Sequence, residues 1–209
     1  HPESIDRANN DDWAPLHYLS GNKKIDDSTA VDILGLFLER CPEAARHAGE
    51  DGRLPIHIAA GQGAKSFEFC RMLIEAYPGS ERIIAIGQLP LHIACRHGSV
   101  AVAEYLLKLY PESINVADER GSYPIHKAII RVKSETPTIA IDMVQMLLDC
   151  DPNLASQKWR AGEAIEYNPL SFVVVVCYPA ILLHVSSDTS KMSTAVKIIH
   201  LLYDAHPEA

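Results

Sequence analysis

The heptapeptide LPLHIAC at residues 89–95 recurs along the chain with small changes. LPIHIAA stands at 54–60, YPIHKAI at 123–129 and APLHYLS at 14–20. A histidine so close to a cysteine suggests a reactive or metal-binding site, but such a site is rarely copied along one chain. The repetition therefore indicates a structural unit that the chain uses several times.

Two sets of prolines delimit these units. One set opens the heptapeptide at Pro15, Pro55, Pro90, Pro124 and Pro169, and the other closes each unit at Pro42, Pro78, Pro111, Pro152 and Pro207. The segment from a closing proline to the next opening proline has nearly constant length, whereas the rest of the unit varies. Self-similarity of this period predicts stacked units rather than one globular core.

The third unit shows how one repeat is expected to fold. Proline suits the first turn of a helix, so a short helix is predicted over 90–97, with Gly98 just past its end. Ser99 is the predicted N-cap of a second, amphipathic helix that Pro111 stops. The polar stretch that follows predicts a hairpin-like connection. Such a unit cannot bury its apolar faces alone, so its neighbours must cover them.

These units resemble ankyrin repeats, whose signature T-P-L-H-x-A precedes two antiparallel helices and a hairpin. LPLHIAC…G…YLL, LPIHIAA…G…MLI and YPIHKAI…MLL carry the resemblance, and the first and fifth units match it more loosely. It implies an all-α solenoid of about five helix-turn-helix units joined by hairpin-like loops, forming a single domain over 1–209. The units are expected at about 3–42, 43–78, 79–111, 112–152 and 153–207. Both ends match a closing Pro-Glu, which suggests a segment excised from a longer chain.

The resemblance implies that the motif histidines are structural and hydrogen-bonded near the adjacent hairpin. His17, His57, His92 and His126 occupy the motif position, and Ser171 replaces the histidine in the fifth unit. The chain departs from the family at the motif threonine, where Ala14, Leu54, Leu89, Tyr123 and Asn168 stand instead. Because an unsatisfied buried polar group is costly, we expect the backbone to satisfy the histidine rings.

Composition narrows the class of protein. A net charge of −8 argues against a nucleic-acid binder. Five cysteines, an odd number without C-x-x-C spacing, favour a reduced intracellular compartment, with the cytoplasm as our prediction. The longest apolar run, 172–185, is too short for a membrane span and contains Pro179, so no membrane insertion is expected. The N-terminus shows no signal-peptide pattern.

Enzyme and metal motifs are missing from the sequence. It contains no nucleophile elbow, phosphate-binding loop, dinucleotide fingerprint, H-E-x-x-H or kinase signature. His92 and Cys95 could share one helical face, but no second group of ligands would complete a tetrahedral site. We therefore predict a non-enzymatic protein without catalytic residues, cofactor or metal.

The resemblance implies that a protein partner binds on the hairpin tips and on the exposed side of the first helices. We predict an interaction scaffold or adaptor that is monomeric, with end-to-end association through uncapped terminal repeats as an alternative. A second alternative is a substrate-recruiting segment of a larger enzyme such as a kinase or ubiquitin ligase. Trp13, Arg96 and Arg131 are the strongest predicted contacts, because Trp and Arg are enriched at binding hot spots. The predicted contacts on the hairpin tips are Asn10, Asp11, Trp13, Glu50, Asp51, Arg53, Gln88, Glu119, Arg120, Ser122 and Tyr167, and those on the first helices are Gln62, Arg96, His97 and Arg131.

Overall fold

The computed structural model describes residues 8–10, 12–62, 66–133, 138–160, 166–182 and 189–205. Ten α-helices occur in this part of the chain, as five successive pairs. They are α1 (Pro15–Gly21), α2 (Asp27–Arg40), α3 (Pro55–Ala60), α4 (Phe67–Ala76), α5 (Pro90–His97), α6 (Val100–Leu109), α7 (Pro124–Ile130), α8 (Thr138–Cys150), α9 (Pro169–Leu182) and α10 (Thr189–Ala205). The predicted all-α ankyrin-repeat class is confirmed.

Each first helix begins at the opening proline, as predicted. Before α1, α3, α5 and α7 the preceding residue is extended, which is the conformation that a following proline favours. Three second helices, α2, α4 and α6, begin at polar caps: Asp26, Ser66 and Ser99 accept hydrogen bonds from backbone N–H groups of their first turns. The predicted Ser99 cap is confirmed by the bond from Val102 N–H to Ser99 Oγ, at 3.3 Å.

Three closing prolines, Pro42, Pro111 and Pro152, begin short 3-10 turns rather than simply stopping a helix, and a fourth turn begins two residues after Pro78. Four 3-10 turns follow the second helices, at Pro42–Arg46, Ser80–Arg82, Pro111–Asn115 and Pro152–Ser156. The connection before α9 contains an antiparallel pair of two-residue strands, β1 (Trp159–Arg160) and β2 (Glu166–Tyr167). These turns and strands lead the chain back to the start of the next first helix.

Gly98 ends α5 as predicted, but for a different reason. Its φ of −84° is open to any residue, so no left-handed cap requires glycine here. A Cβ on Gly98 would instead lie 2.2 Å from the carbonyl oxygen of Ala60 in the preceding repeat. Close packing between α3 and α5 therefore excludes a side chain at this position.

The chain divides into two compact units, His1–Ser113 and Ile114–Ala209. In unit 1, first helices stack on first helices (α1 on α3, α3 on α5) and second helices on second helices (α2 on α4, α4 on α6). In unit 2, α7 packs on α9 and α8 on α10 in the same manner. The single domain predicted over 1–209 stays a prediction.

The core of each unit consists of apolar side chains at the expected helical spacing. Leu16, Leu34, Ile56, Phe69 and Leu73 are fully buried in unit 1. Ile125, Ile129, Met143 and Leu147 are fully buried in unit 2. Burial of this kind supplies most of the stability of such short helices, since isolated helices of this length are marginal in water.

Buried cysteines behave as small core residues. Cys41, Cys70 and Cys95 are buried and form no disulfide, whereas Cys150 is exposed. Burial, assisted by the charge of Asp27, raises the pKa of Cys70 to about 12, so this thiol stays protonated.

Candidate functional site

Two motif histidines in unit 1 connect successive repeats. The backbone N–H of Ala14 donates to His17 Nδ1 at 3.2 Å, and His17 Nε2 donates to the carbonyl oxygen of Arg53 at 2.9 Å. His57 repeats the arrangement, with its Nε2 2.9 Å from the carbonyl oxygen of Ile83. Since Nδ1 accepts from an N–H, the ring proton lies on Nε2, and each ring links its helix to the next hairpin.

The same backbone bond explains how the chain dispenses with the motif threonine. Leu89 N–H donates to His92 Nδ1 at 3.2 Å, and Tyr123 N–H donates to His126 Nδ1 at 3.3 Å. The side chain at the threonine position takes no part in this bond, so leucine or tyrosine is tolerated there. In the fifth repeat Asn168 Oδ1 instead accepts from Ser171 N–H at 2.8 Å, as an N-cap.

The motif histidines are buried, and their surroundings disfavour the protonated form of the ring. Burial lowers the pKa of His17, although the hydrogen bond to Arg53 opposes the shift. Burial lowers the pKa of His57 to about 4, and burial together with the Lys127 charge lowers that of His126 to about 3. These three rings are therefore neutral at physiological pH and hold structure rather than transfer protons.

Most of the predicted partner contacts lie at the surface of one of the two units. Asp11 falls outside the described residues. Those that are exposed are Asn10, Glu50, Asp51, His97, Glu119 and Arg120, and those that are half-buried are Trp13, Arg53, Gln62, Gln88, Arg96 and Tyr167. Of the fifteen, only Ser122 and Arg131 are buried within the described part of the chain.

Ser122 and Arg131 are corrections to the sequence prediction. The fourth hairpin turns through 119–121, and Ser122 N–H donates to Asp118 Oδ1 at 2.8 Å, which holds Ser122 inside the turn. Helix α7 ends at Ile130, and a 3-10 turn over Arg131–Lys133 follows it. Arg131 thus leaves the helical face on which the sequence placed it and becomes buried.

Trp13 packs against the following hairpin and keeps part of its indole accessible. The Arg53 guanidinium carbon lies 5.1 Å from the centre of the indole, and a Cβ on Gly49 would come within 2.8 Å of the ring. Arg53 is held in turn by Asp51, with Nε 2.7 Å from Oδ2. This chain of contacts orients an aromatic and a cationic group at the surface without a bound partner.

Two adjoining depressions in unit 1 bring six of the predicted contacts together. One, of about 530 Å³, is lined by Trp13, Glu50, Asp51 and Arg53. The other, of about 480 Å³, extends across α3 to α5 and is lined by Trp13, Gly21, Lys23, Arg53, His57, Ile58, Gly61, Gln62, Ile93 and His97. We call the two together the unit-1 groove. Gln62 Oε1 is buried there and accepts no hydrogen bond from the described residues.

The third hairpin carries an apolar tip that the sequence analysis missed. Ala85 and Gln88 exchange two backbone hydrogen bonds, at 3.0 and 2.9 Å, around Ile86 and Gly87. Ile86 has φ 49° and Gly87 has φ 65°, the pattern of a type I′ turn. The side chains of Ile84 and Ile86 are both more than half exposed. The run IIAIG at 83–87, just before a predicted first helix, is the sequence signal for this apolar tip, whereas the sequence analysis names only Gln88 here.

The part of the chain that the structure describes holds no group of three or more His, Cys, Asp or Glu side chains placed to bind a metal ion. None of its helices has the length and apolar character needed to cross a bilayer.

Comparison with known proteins identifies the family. A family model of ankyrin repeats (3 copies) matches residues 26–118 and 56–158, which together make up more than half of the chain. The ankyrin repeat protein nuc-2 of Neurospora crassa is 28% identical over 137 residues, covering 66% of this chain. The chain spans only 12% of the length of that relative. The repeat motif, the paired helices and the family match agree: the chain belongs to the ankyrin repeat family.

Proposed function

We propose that this chain is a non-catalytic protein-binding scaffold whose partner docks on unit 1, across the unit-1 groove and the third hairpin. Ankyrin repeats generally mediate protein–protein interactions, which supports the class of function. The partner is a protein rather than a nucleic acid, in keeping with the net charge of −8. The buried cysteines Cys41, Cys70 and Cys95, which form no disulfide, support an intracellular, cytoplasmic setting.

The observation that carries this proposal is the conformation of Ile86. A β-branched residue at positive φ is a strained outlier, and asparagine or glycine would fit the turn better. Its side chain is 52% exposed, so it gains much less from burial than a core isoleucine does. A residue that is unfavourable on both counts is explained when a partner covers it, since strain of this kind is concentrated at functional sites.

The groove supplies the second part of the surface. Trp13 and Arg53 are preoriented by their mutual packing, so binding costs less side-chain entropy. Gln62 and His97 line the same groove beside them. The alternative role, substrate recruitment for a larger enzyme, would use the same surface and differ only in what lies elsewhere in the polypeptide.

The experiment compares the affinity of the parent chain for a partner with that of three variants. The immobilised chain captures partners from an extract of its source cells, and binding of the purified partner is then measured by calorimetry. We expect Ile86→Asn and Trp13→Ala to weaken binding about tenfold or more, which is typical of hot-spot residues. Glu104→Ala is the control, because Glu104 is exposed on α6 away from this surface. Equal affinities of the parent chain and the three variants for the partner would refute the assignment of this surface.

A further inference from the structure

The two depressions of the unit-1 groove carry charges of opposite sign. Among the described residues, Glu50, Asp51 and Arg53 are the charged groups of the first depression, so carboxylates outnumber cations there. Lys23 and Arg53 line the second, which has no carboxylate among its described lining residues. In a chain with a net charge of −8, a depression lined by cations rather than acidic groups is not expected from composition. The groove therefore changes from acidic to basic between its two depressions.

Arg53 belongs to both depressions, but its charge is already paired. Its Nη2 lies 2.6 Å from Asp51 Oδ2, and its guanidinium carbon lies 5.1 Å from the centre of the Trp13 indole. The backbone N–H of Arg53 also donates to Asp51 Oδ1 at 3.0 Å. Because a close ion pair presents little net charge to a ligand, Glu50 sets the charge of the first depression and Lys23 sets that of the second.

Glu50 and Lys23 are both available to a ligand. Each is exposed, and neither forms an ion pair or a side-chain hydrogen bond with the described residues. The carboxylates that follow Lys23 in the sequence are committed elsewhere: Asp26 caps α2, and Asp27 Oδ1 accepts from the backbone N–H of Ser66 at 2.8 Å. The two unpaired charges of the groove thus have opposite sign and lie in different depressions.

The second depression also offers apolar cover. Ile58 is buried and Ile93 is half-buried, and both line this depression together with Gly21 and Gly61. A Cβ on Gly61 would lie 2.9 Å from Ile93 Cγ2, so a larger residue would crowd the lining. An apolar side chain of a ligand gains free energy when such a surface shields it from water.

We propose that the unit-1 groove binds a continuous protein segment with a basic side chain at Glu50, an acidic side chain at Lys23 and an apolar side chain against Ile93. The stem of the basic side chain can lie along the Trp13 indole while its charge reaches the Glu50 carboxylate. Each exposed ion pair adds little affinity, so the two charges select the partner and fix its direction. This inference rests on the proposed function and deepens it by naming the chemistry of the bound segment.

Random peptides of about ten residues, displayed on phage, are the probe. A peptide of this length reaches about 33 Å when extended, enough to cross three neighbouring first helices that lie about 8–10 Å apart. The baits are the parent chain, Glu50→Lys, Lys23→Glu and the variant with both changes. Both side chains are exposed, so the changes leave the core intact. Circular dichroism checks folding, and Glu50→Gln and Lys23→Gln replace any variant that does not fold.

The selected peptides should report the order of the charges. We expect the parent chain to enrich peptides that carry a basic and an acidic residue in one fixed order. Glu50→Lys should lose the preference for the basic residue, Lys23→Glu should lose that for the acidic residue, and the variant with both changes should enrich the reverse order. The combined Glu104→Lys and Lys108→Glu variant is the matched control. It exchanges the same two charges at exposed positions of α6 and should enrich the same peptides as the parent chain.

A double-mutant cycle on one synthetic peptide measures the contact at Glu50. The probe is the peptide that the parent chain enriches most, with its basic residue either kept or replaced by methionine. The replacement should weaken binding to the parent chain by about two- to fivefold, the range expected of an exposed ion pair, and should not weaken binding to Glu50→Gln. Fluorescence anisotropy of the labelled peptides gives the four affinities.

Three outcomes would overturn the proposal. It is wrong if the parent chain enriches no peptide, if the enriched peptides show no preference for the two charges, or if the α6 control alters the selection as the groove variants do. Peptides without a charge preference that still lose affinity for Trp13→Ala would refute it and leave the proposed docking surface in place. Peptides with the charge preference that bind Trp13→Ala and Ile86→Asn as tightly as the parent chain would instead refute the proposed hot-spot residues.

Discussion

The third and fourth hairpins both reverse the chain before a first helix, but the third has an apolar tip and the fourth a polar, hydrogen-bonded loop. The third turns through Ile86 and Gly87, with a strained backbone and an apolar tip in solvent. The fourth turns through 119–121, with Gly121 at φ 74° and an aspartate that closes the loop from inside. The comparison separates a hairpin built for stability from one that keeps unfavourable features at its surface.

Asp118 shows how the fourth hairpin is stabilised. Its Oδ1 accepts hydrogen bonds from Arg120 N–H at 3.0 Å and Ser122 N–H at 2.8 Å, and its Oδ2 lies 2.5 Å from Lys127 Nζ. Burial by itself raises the pKa of Asp118, but the hydrogen bonds to Lys127 and Ser122 outweigh it and lower the pKa overall. The third hairpin contains no equivalent ion pair among the described residues.

Removing the positive charge of Lys127 should have the largest effect on the free energy of unfolding. Lys127→Met leaves a buried carboxylate without its counter-charge, so we expect a loss of about 3–5 kcal/mol in the free energy of unfolding, measured by urea titration. The combined Asp118→Asn and Lys127→Met variant should recover part of that loss. Arg71→Ala is the control, because Arg71 pairs with Glu68 and Glu75 at the surface, and its removal should leave the midpoint unchanged. Equal effects of Lys127→Met and Arg71→Ala would contradict the prediction.

Acidification should destabilise the fold through His57, because a protonated, buried ring can no longer accept the hydrogen bond from the Leu54 N–H at Nδ1. Burial holds the pKa of folded His57 at about 4, below the unfolded value of 6.5, so the unfolded chain binds more protons between these values. The contribution of His57 to the free energy of unfolding is therefore fully present above about pH 6.5. It falls by about 1.4 kcal/mol per pH unit as the pH drops towards 4. Urea titrations across this range measure the slope, and His57→Asn should reduce it. A slope that is the same in the variant would show that His57 does not carry the effect.

Relieving the strain in the third hairpin should change the free energy of unfolding least, and should raise it rather than lower it. Asparagine tolerates positive φ, so Ile86→Asn should raise the free energy of unfolding by about 1 kcal/mol. Ile84→Asn is the matched control, since Ile84 is similarly exposed but has no positive φ, and it should bring no gain. Thermal and urea unfolding measure both variants. A destabilising Ile86→Asn would mean that the side chain is supported from within the chain.

Local signals explain why so much of the repeat could be predicted. Each opening proline starts a helix because its ring sets φ and its missing N–H is not needed in the first turn. Ser99 caps α6 because its hydroxyl accepts from a free N–H of that turn. These effects act within a few residues, so the sequence shows them directly.

The candidate site was harder to predict because exposure depends on which neighbour covers a side chain. Arg131 was expected on the surface, yet the chain turns at the end of α7 and buries it. Ile84 and Ile86 were overlooked because a hairpin tip is expected to be polar, and apolar letters alone do not report exposure. The unit-1 groove likewise forms only where α1, α3 and α5 stack.

The repeat register, the helix starts and the backbone bond to each histidine Nδ1 are therefore properties of the sequence, since each depends on residues a few positions apart. Tertiary packing decides the rest: which hairpin carbonyl oxygens His17 and His57 reach, why Gly98 must lack a side chain, and which hairpin is strained. These features depend on distances between repeats, and the same residue type is buried or exposed according to the helix that stands beside it.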